Sequence, residues 1–230
     1  MEITIRPAVV GDAAAIAAVK DAVWPEETSE PGRIARVIAC GEHTSFIAEY
    51  GGQVVGFVDS FTTYSPMETA RWEVDLLAVH PDQQGRGIGR ALVSAASQSG
   101  HESGATFARA LIQTHNTASQ RVFARCGYRS DGVARDLYVA TRGVAIPQPV
   151  FQDTNLIEVR TFNYNGLWVE GHLTIDSLSR ALTRLAANSH EYGLAGVLIS
   201  SCDAALTEAA MSLGYTLVAA FHWWRRDFDD

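Results

Sequence analysis

Apolar residues along this chain recur in two rhythms, one of two residues and one of three to four, and the switches between them mark its elements. Ile3–Arg6 alternates as a strand does and stops at Pro7, which has no N–H for a ladder. Asp12 can cap a helix in which Ile16, Val19 and Val23 recur at helical spacing. Trp24-Pro25-Glu26-Glu27 breaks that run, and Ile34–Ala39 predicts a second short helix. Thr44–Tyr50 and Gln53–Phe61 predict two strands joined at Gly51-Gly52, a hairpin signal, and Thr62–Ala70 a polar loop. Trp72–Val79 follows as an apolar strand. A helix begins near Gly87, with Ile88, Ala91, Leu92 and Ala95 on one face, and Gly100–Gly104 ends it. Thr106–Thr114 is strand-like. A helix headed by Asn116 carries Ser119, Val122, Phe123 and Cys126 on a common face and stops at Gly127. Tyr128–Ala140 gives a further strand, turning early at Asp131-Gly132. Strands and helices mixed in this order predict an α/β fold of the α+β type, with a mixed sheet.

The pattern changes at Gly143–Asn155, whose two prolines mark a linker. Beyond it, strands are predicted at Leu156–Phe162 and Leu167–His172. A helix is expected through Leu178, Ala181, Leu182, Leu185 and Ala186, and a strand at Leu194–Ser200. Leu206, Ala209, Ala210 and Leu213 mark another helix, and Leu217–Trp224 a last strand. This part reads as a worn copy of the first. Arg90-Ala91-Leu92 is echoed by Arg180-Ala181-Leu182, His101-Glu102-Ser103-Gly104 by His190-Glu191-Tyr192-Gly193, and Cys126-Gly127-Tyr128 by Leu213-Gly214-Tyr215. The offsets of 90, 89 and 87 residues barely drift, which suggests duplication. The expected organisation is a first domain over 1–142, a linker over 143–155 and a degenerate half-domain over 156–230. That second half is expected to wall the acceptor site or to make a homodimer contact.

Composition narrows the function classes. A net charge of −8 over 230 residues argues against nucleic-acid binding, which needs cations to displace counterions. No apolar run approaches the ~20 residues of a membrane span, and no signal peptide is evident at the start, so no membrane partner is expected and the cytoplasm is the expected location. Three widely spaced cysteines read as free thiols, and the seven histidines show no metal-ligand spacing, so no metal site is assigned.

The candidate chemistry lies in Trp72–Leu92. The turn Gln84-Gly85-Arg86-Gly87-Ile88-Gly89 has a bare backbone at alternate positions and leads into a helix N-terminus. It reads as a tight turn or as a cradle for phosphate or pyrophosphate. A dinucleotide site would have G-x-G-x-x-G after a strand; here the spacing is G-x-G-x-G and the unit follows a hairpin, which counts against that site. Glu73, Asp75, Leu77 and Val79 are expected on one face of the strand.

Gln84-x-x-Gly87-x-Gly89 resembles the Q/R-x-x-G-x-G/A signature of the GNAT superfamily of acyl-CoA-dependent N-acyltransferases. Leu77-Ala78-Val79-His80-Pro81 is similar to that family's fourth strand and exit. Asn116-x-x-Ser119-x-x-x-Phe123-x-x-x-Gly127-Tyr128 is similar to its next signature, and Ile3–Asp12 to its first strand. The resemblance covers roughly residues 1–140. It implies acetyl-CoA as cofactor. Backbone groups of Leu77, Ala78 and Val79 would pair with the pantetheine arm. The N–H groups of Gln84, Gly85, Arg86, Gly87, Ile88, Gly89 and Arg90 would surround the pyrophosphate, and Asn116 and Ser119 would lie near the thioester. Asn116 can equally be a plain helix cap.

Direct attack on a thioester needs a neutral amine, and an alkylammonium with a pKa near ~10.4 must first lose a proton. Glu73 is the first expected base and Asp75 the second; the alternative is that one or both are solvated or ion-paired strand carboxylates. A backbone N–H of Leu77 or Val79 would meet the oxyanion. Trp24, Phe61, Tyr64 and Trp72 are expected to border the acceptor, a small-molecule or peptide amine, with ordinary packing as the alternative. Many family members have a tyrosine seven residues after the asparagine as general acid; this chain has Phe123, which leaves Tyr138, water or unaided departure of the thiolate. The expected function is N-acetyltransfer, with an acyl-CoA-binding sensor as the alternative and a nicotinamide-dependent dehydrogenase as a remote third.

Overall fold

Eleven strands and six helices occur among the residues that the computed structural model describes, which are 2–65, 68–144 and 156–228. Most of the expected linker, 145–155, lies outside them. The described residues form two compact units. One takes in 2–112, 116–131 and 223–228, and the other 113–115 and 132–222.

The first unit opens with β1 (Ile3–Pro7), α1 (Ala13–Val23) and α2 (Pro31–Cys40), followed by β2 (Phe46–Tyr50), β3 (Gln53–Tyr64) and β4 (Ala70–Val79). Then come α3 (Ile88–Glu102), β5 (Phe107–Gln113), α4 (Thr117–Arg125) and β6 (Arg129–Ser130). β1 to β4 pair antiparallel in chain order, and β4 pairs β5 in parallel. Asp12 differs from expectation: it makes no side-chain cap on α1. Its carboxylate instead accepts from the Val9 N–H and from Arg6, which turns the chain out of β1. The core joins Val58, Trp72, Val74, Leu92, Val93, Ala96, Ala108, Ile112 and Phe123 between the sheet, α3 and α4.

α3 ends at Glu102, within the Gly100–Gly104 stretch where the sequence pattern places its stop, and Gly100 itself lies inside the helix. A Cβ there would lie 2.4 Å from Cγ of Trp72, so the missing side chain lets the helix approach the indole. The glycine therefore serves packing here, and the helix stops later, before Gly104 at φ 80°.

The second unit contains β7 (Arg135–Ala140), β8 (Leu156–Arg160), β9 (Asn165–Val169), α5 (Ile175–Ala187), β10 (Leu194–Ser200) and α6 (Ala204–Ser212). β11 (Thr216–Asp227) contributes its residues up to His222. β7 thus lies in this unit rather than in the first, and the chain's last described residues return to the first. β8 pairs β9 antiparallel, β9 pairs β10 in parallel, and β7 joins β10 to β11. Leu178, Ala181, Leu182 and Leu185 bury one face of α5 against Leu167, Val169, Val197 and Ile199.

The two units repeat one local design. In the first, the N–H groups of Cys126, Gly127 and Tyr128 bond the carbonyls of Phe123, Ala124 and Phe123; in the second, those of Leu213, Gly214 and Tyr215 bond Ala210, Met211 and Ala210. Gly127 and Gly214 have φ of 86° and 92°, which favours glycine at both helix ends. No helix among the described residues is long and apolar enough to cross a membrane.

Candidate active site

β4 carries the site because it changes parity halfway along. Its register with β3 jumps from Val58↔Leu77 to Ser60↔Val74, so Asp75 and Leu76 together oppose Asp59. This is a β-bulge, and one extra residue reverses which face the side chains take. Trp72 and Val74 pack into the core under α3, and beyond the bulge Leu77 and Val79 do so. Glu73, Asp75, Leu77 and Val79 therefore do not share one face, contrary to the alternation read from sequence. Glu73 and Asp75 lie opposite the α3 core, and the bulge separates them from Leu77 and Val79.

The two acids sit in different surroundings. Glu73 is buried (8% exposed), and Arg109 grips it with Nε at 2.9 and 2.8 Å from its two oxygens and Nη2 at 2.8 Å. The Thr63 hydroxyl donates to the same carboxylate, and Arg71 Nε lies 3.9 Å away. Burial pushes the Glu73 carboxyl up, opposed by Arg109, Thr63 and Arg71. Asp75 is exposed, and no hydrogen bond or ion pair engages it among the described residues. Protein atoms crowd it nonetheless. Burial, then Asp59 and Glu73, push its carboxyl up to about 7 against the pull of His43. Its remaining contact with solvent moderates that push and leaves it free to exchange protons. Asp59 is fully buried, held by His43 Nδ1 at 2.8 Å and by the Ser45 hydroxyl at 2.7 Å.

The far half of β4 has an open edge. β4 and β5 pair at Arg71↔Phe107, Trp72↔Ala108 and Glu73↔Arg109, and the parallel register ends there, although β4 continues to Val79 and β5 to Gln113. Leu77, Ala78 and Val79 are paired on their other side, with Val58, Phe57 and Gly56. Their side toward β5 can take an extended ligand as an added strand.

That edge leads into the glycine turn. Gly85 and Gly87 have φ of 76° and 80°. Gly87 heads α3, and no side chain caps the helix there. The first α-helical bond runs from Ala91 N–H to the Gly87 carbonyl, so the N–H groups of Ile88, Gly89 and Arg90 face outward as an anion site. Gly89 is not demanded by space, since a Cβ would meet Val122 at 3.6 Å. Gln84 bonds the Val79 carbonyl at 3.1 Å and fixes the turn to the strand; Arg86 lies over Tyr50 at 5.5 Å.

The other expected residues are spread more widely. Asn116 caps α4, its Oδ1 accepting from the Ser119 N–H at 3.0 Å, as the helix-cap alternative requires. Trp24 ends α1 under Lys20, whose Nζ is 5.9 Å from the ring. Tyr64 is exposed at the end of β3. Phe123 is buried edge-on against Tyr128, and Tyr138 is buried in the second unit's core. Sequence reasoning missed Thr63, Arg71, Arg109, His43 and Asp59. Alternation along β3, β4 and β5 could have put Asp59, Thr63, Arg71 and Arg109 on the acids' face; His43, outside the named strands, carries no such signal.

Acid groups opposite the core, an open inner strand edge and an uncapped helix N-terminus thus follow one another from β4 into α3. The comparisons carry the identification. Residues 15–128 match the model of the acetyltransferase (GNAT) family, so the first unit is a GNAT acetyltransferase domain. A search of curated proteins returned no match. A tandem GNAT protein from the clavulanic acid biosynthesis pathway superposes over 100% of both chains, with a TM-score of 0.62 at 14% identity. A Salmonella typhimurium protein solved with its cofactor acetyl-CoA matches 58% of this chain and 83% of its own, with a TM-score of 0.51 at 23% identity. A GNAT-family acetyltransferase from Streptococcus pneumoniae matches 59% and 89%, with a TM-score of 0.52 at 17% identity. Over its whole length the chain is thus similar in fold to a tandem GNAT protein.

Proposed function

We propose that the first unit transfers an acetyl or other short acyl group from acetyl-CoA to a small-molecule or peptide amine, by direct attack and with one cofactor site per chain. The observation that carries this reading is the order along β4: an exposed, partnerless carboxyl at Asp75, an open strand edge over Leu77–Val79, then the uncapped start of α3. Bound there, acetyl-CoA supplies an activated thioester. The edge of Leu77–Val79 orients the pantetheine arm, and the N–H groups from Gly85 to Arg90 hold the pyrophosphate. A backbone N–H at Leu77 or Val79 meets the oxyanion. Asp75 takes the proton of the attacking ammonium. We rank it ahead of Glu73, whose two oxygens are already engaged by Arg109 and Thr63.

The second unit is not proposed to bind a cofactor. Thr174 and Ser177 cap the start of α5 reciprocally, and the β9–β10 pairing runs to the last residue of β9. Calorimetry on the full chain should show one acetyl-CoA bound per chain, and incubation with acetyl-CoA and an amine panel of polyamines, amino sugars and short peptides should release free thiol. No binding of acetyl-CoA would overturn the proposal. Saturable binding with no thiol release on any amine would favour the sensor reading, which the burial of Phe123 motivates, since no phenol stands there to protonate a departing thiolate.

A further inference from the structure

One row of residues crosses the first unit from strand to strand at the level of Glu73. His43 bridges Phe61, Phe61 faces Glu73 across β3 and β4, and Glu73 faces Arg109 across β4 and β5. The row ends on Trp223, whose ring lies 4.0 Å from the Arg109 guanidinium carbon. One step along, Arg225 lies 3.7 Å from the Phe107 ring, so two cation–aromatic pairs sit side by side on β5 and the end of β11. This end of the chain is firmly anchored. The Asp131 N–H bonds the Trp223 carbonyl at 3.0 Å, Trp224 pairs with Ser130, and Arg226 bonds the Cys126 carbonyl at 3.2 Å.

Glu73↔Arg109 is the last parallel pair before β4 and β5 part. This pair therefore stands where the open edge begins and beside the charge of Asp75. We propose that Trp223 is a positioning residue: its ring face holds the Arg109 guanidinium in the bidentate pair with Glu73, so the end of the chain forms part of the first unit's site. The consequence for catalysis rests on Asp75 being the proton acceptor; the positioning itself does not.

The charged groups that act on Glu73 are Arg109 on β5 and Arg71 and Asp75 on β4; Asp59 on β3, with His43 against it, acts on Asp75. Of these, Arg109 makes the closest contacts, so loosening it should make Glu73 easier to protonate. The test is a carbon-detected carboxyl titration of the full chain by NMR, for wild type, Trp223→Leu and Trp223→Phe. Trp223→Leu keeps apolar bulk without a ring face and should raise the Glu73 midpoint by about half a pH unit or more; Trp223→Phe should restore it. A residue that merely packs would lower the melting temperature and leave that midpoint in place, and an unchanged midpoint in folded Trp223→Leu overturns the proposal. Should that variant not fold, the wild-type protein decides: the Arg109 side-chain protons should be shifted upfield by the indole ring current, and their absence from that position overturns it equally. Wild-type protein that binds no acetyl-CoA would strike the proposed function and leave this titration intact.

Discussion

Replacing Asp75 with asparagine should cost activity and add stability, and the two effects have one cause. The carboxyl is pushed up toward neutral pH by burial, Asp59 and Glu73, a push that contact with solvent moderates. As a proton acceptor it makes kcat fall on the acid side of its midpoint, toward a limit of tenfold per pH unit. Asparagine cannot take the proton. General-base assistance contributes about 10²–10⁴-fold, so Asp75→Asn should lower kcat by that factor, or about 3–5 kcal/mol of barrier, and abolish the acid limb. Stability should move the other way. A carboxyl with a folded midpoint above its ordinary 3.8 binds more protons in the folded state, so its contribution to stability is lost as pH rises from about 4 through about 7. Taken whole, that displacement corresponds to about 4 kcal/mol; contact with solvent reduces it to about 1–2 kcal/mol. Urea denaturation should therefore find Asp75→Asn about 1–2 kcal/mol more stable than wild type at pH ~8 and equal to it at pH ~4. Wild-type kcat with its acid limb intact in Asp75→Asn would place the base elsewhere, and equal stability at both pH values would refute the raised carboxyl itself.

Gly100→Ala should destabilise the first unit even though alanine favours helix by about 1 kcal/mol, because its methyl would sit 2.4 Å from Trp72 Cγ and overpacking costs about 1–3 kcal/mol; a thermal melt reads the loss. Gly87→Val forces a branched side chain into φ 80° at the start of α3 and should weaken acetyl-CoA binding at least tenfold by calorimetry, about 1.4 kcal/mol. Thr174→Ala removes the corresponding cap in the second unit and should cost about 1 kcal/mol of stability while leaving acetyl-CoA affinity unchanged.

The glycine turn, the Asn116 cap, the hairpin at Gly51-Gly52 and the echoes between the halves were legible because each is a local pattern of fixed spacing. Three things were not. The bulge at Asp75-Leu76 leaves no mark on the alternation of β4, since an apolar residue stands at every position from Leu76 to Val79. The packing role of Gly100 is hidden beside the stop at Gly104, because a glycine made for packing and a glycine made for turning are the same letter. The partners of Glu73 come from residues 36 and 150 positions away, Arg109 directly and Trp223 through it, and only the strand pairings bring them together. The aromatic run Phe221–Arg226 can be read from sequence as an aromatic binding surface or as core packing on alternate residues with a charged end. In the structure Trp224 does pack on the core, while Trp223 and Arg225 on the alternate positions meet Arg109 and Phe107.

Comparing the units shows what separates a cofactor site from its scaffold. Both have an antiparallel hairpin leading into a strand, a helix, a parallel partner strand, a second helix capped by Asn116 or Asp203, and a left-handed glycine at its end. Two local changes distinguish them. In the first unit the parallel pair opens after Glu73↔Arg109 and the next helix starts on a bare glycine. In the second, the parallel pair is closed to the end of β9 and the helix start is filled by Thr174 and Ser177. Both changes act on backbone hydrogen-bond donors and acceptors, by satisfying them within the protein or leaving them for a ligand. Satisfying them stabilises a fold, whereas leaving them open costs stability and is sustained by binding. The second unit satisfies them at both places, as the proposal of one cofactor site per chain requires. The first leaves both places open, along Leu77–Val79 and at the start of α3, with Asp75 in the bulge before them.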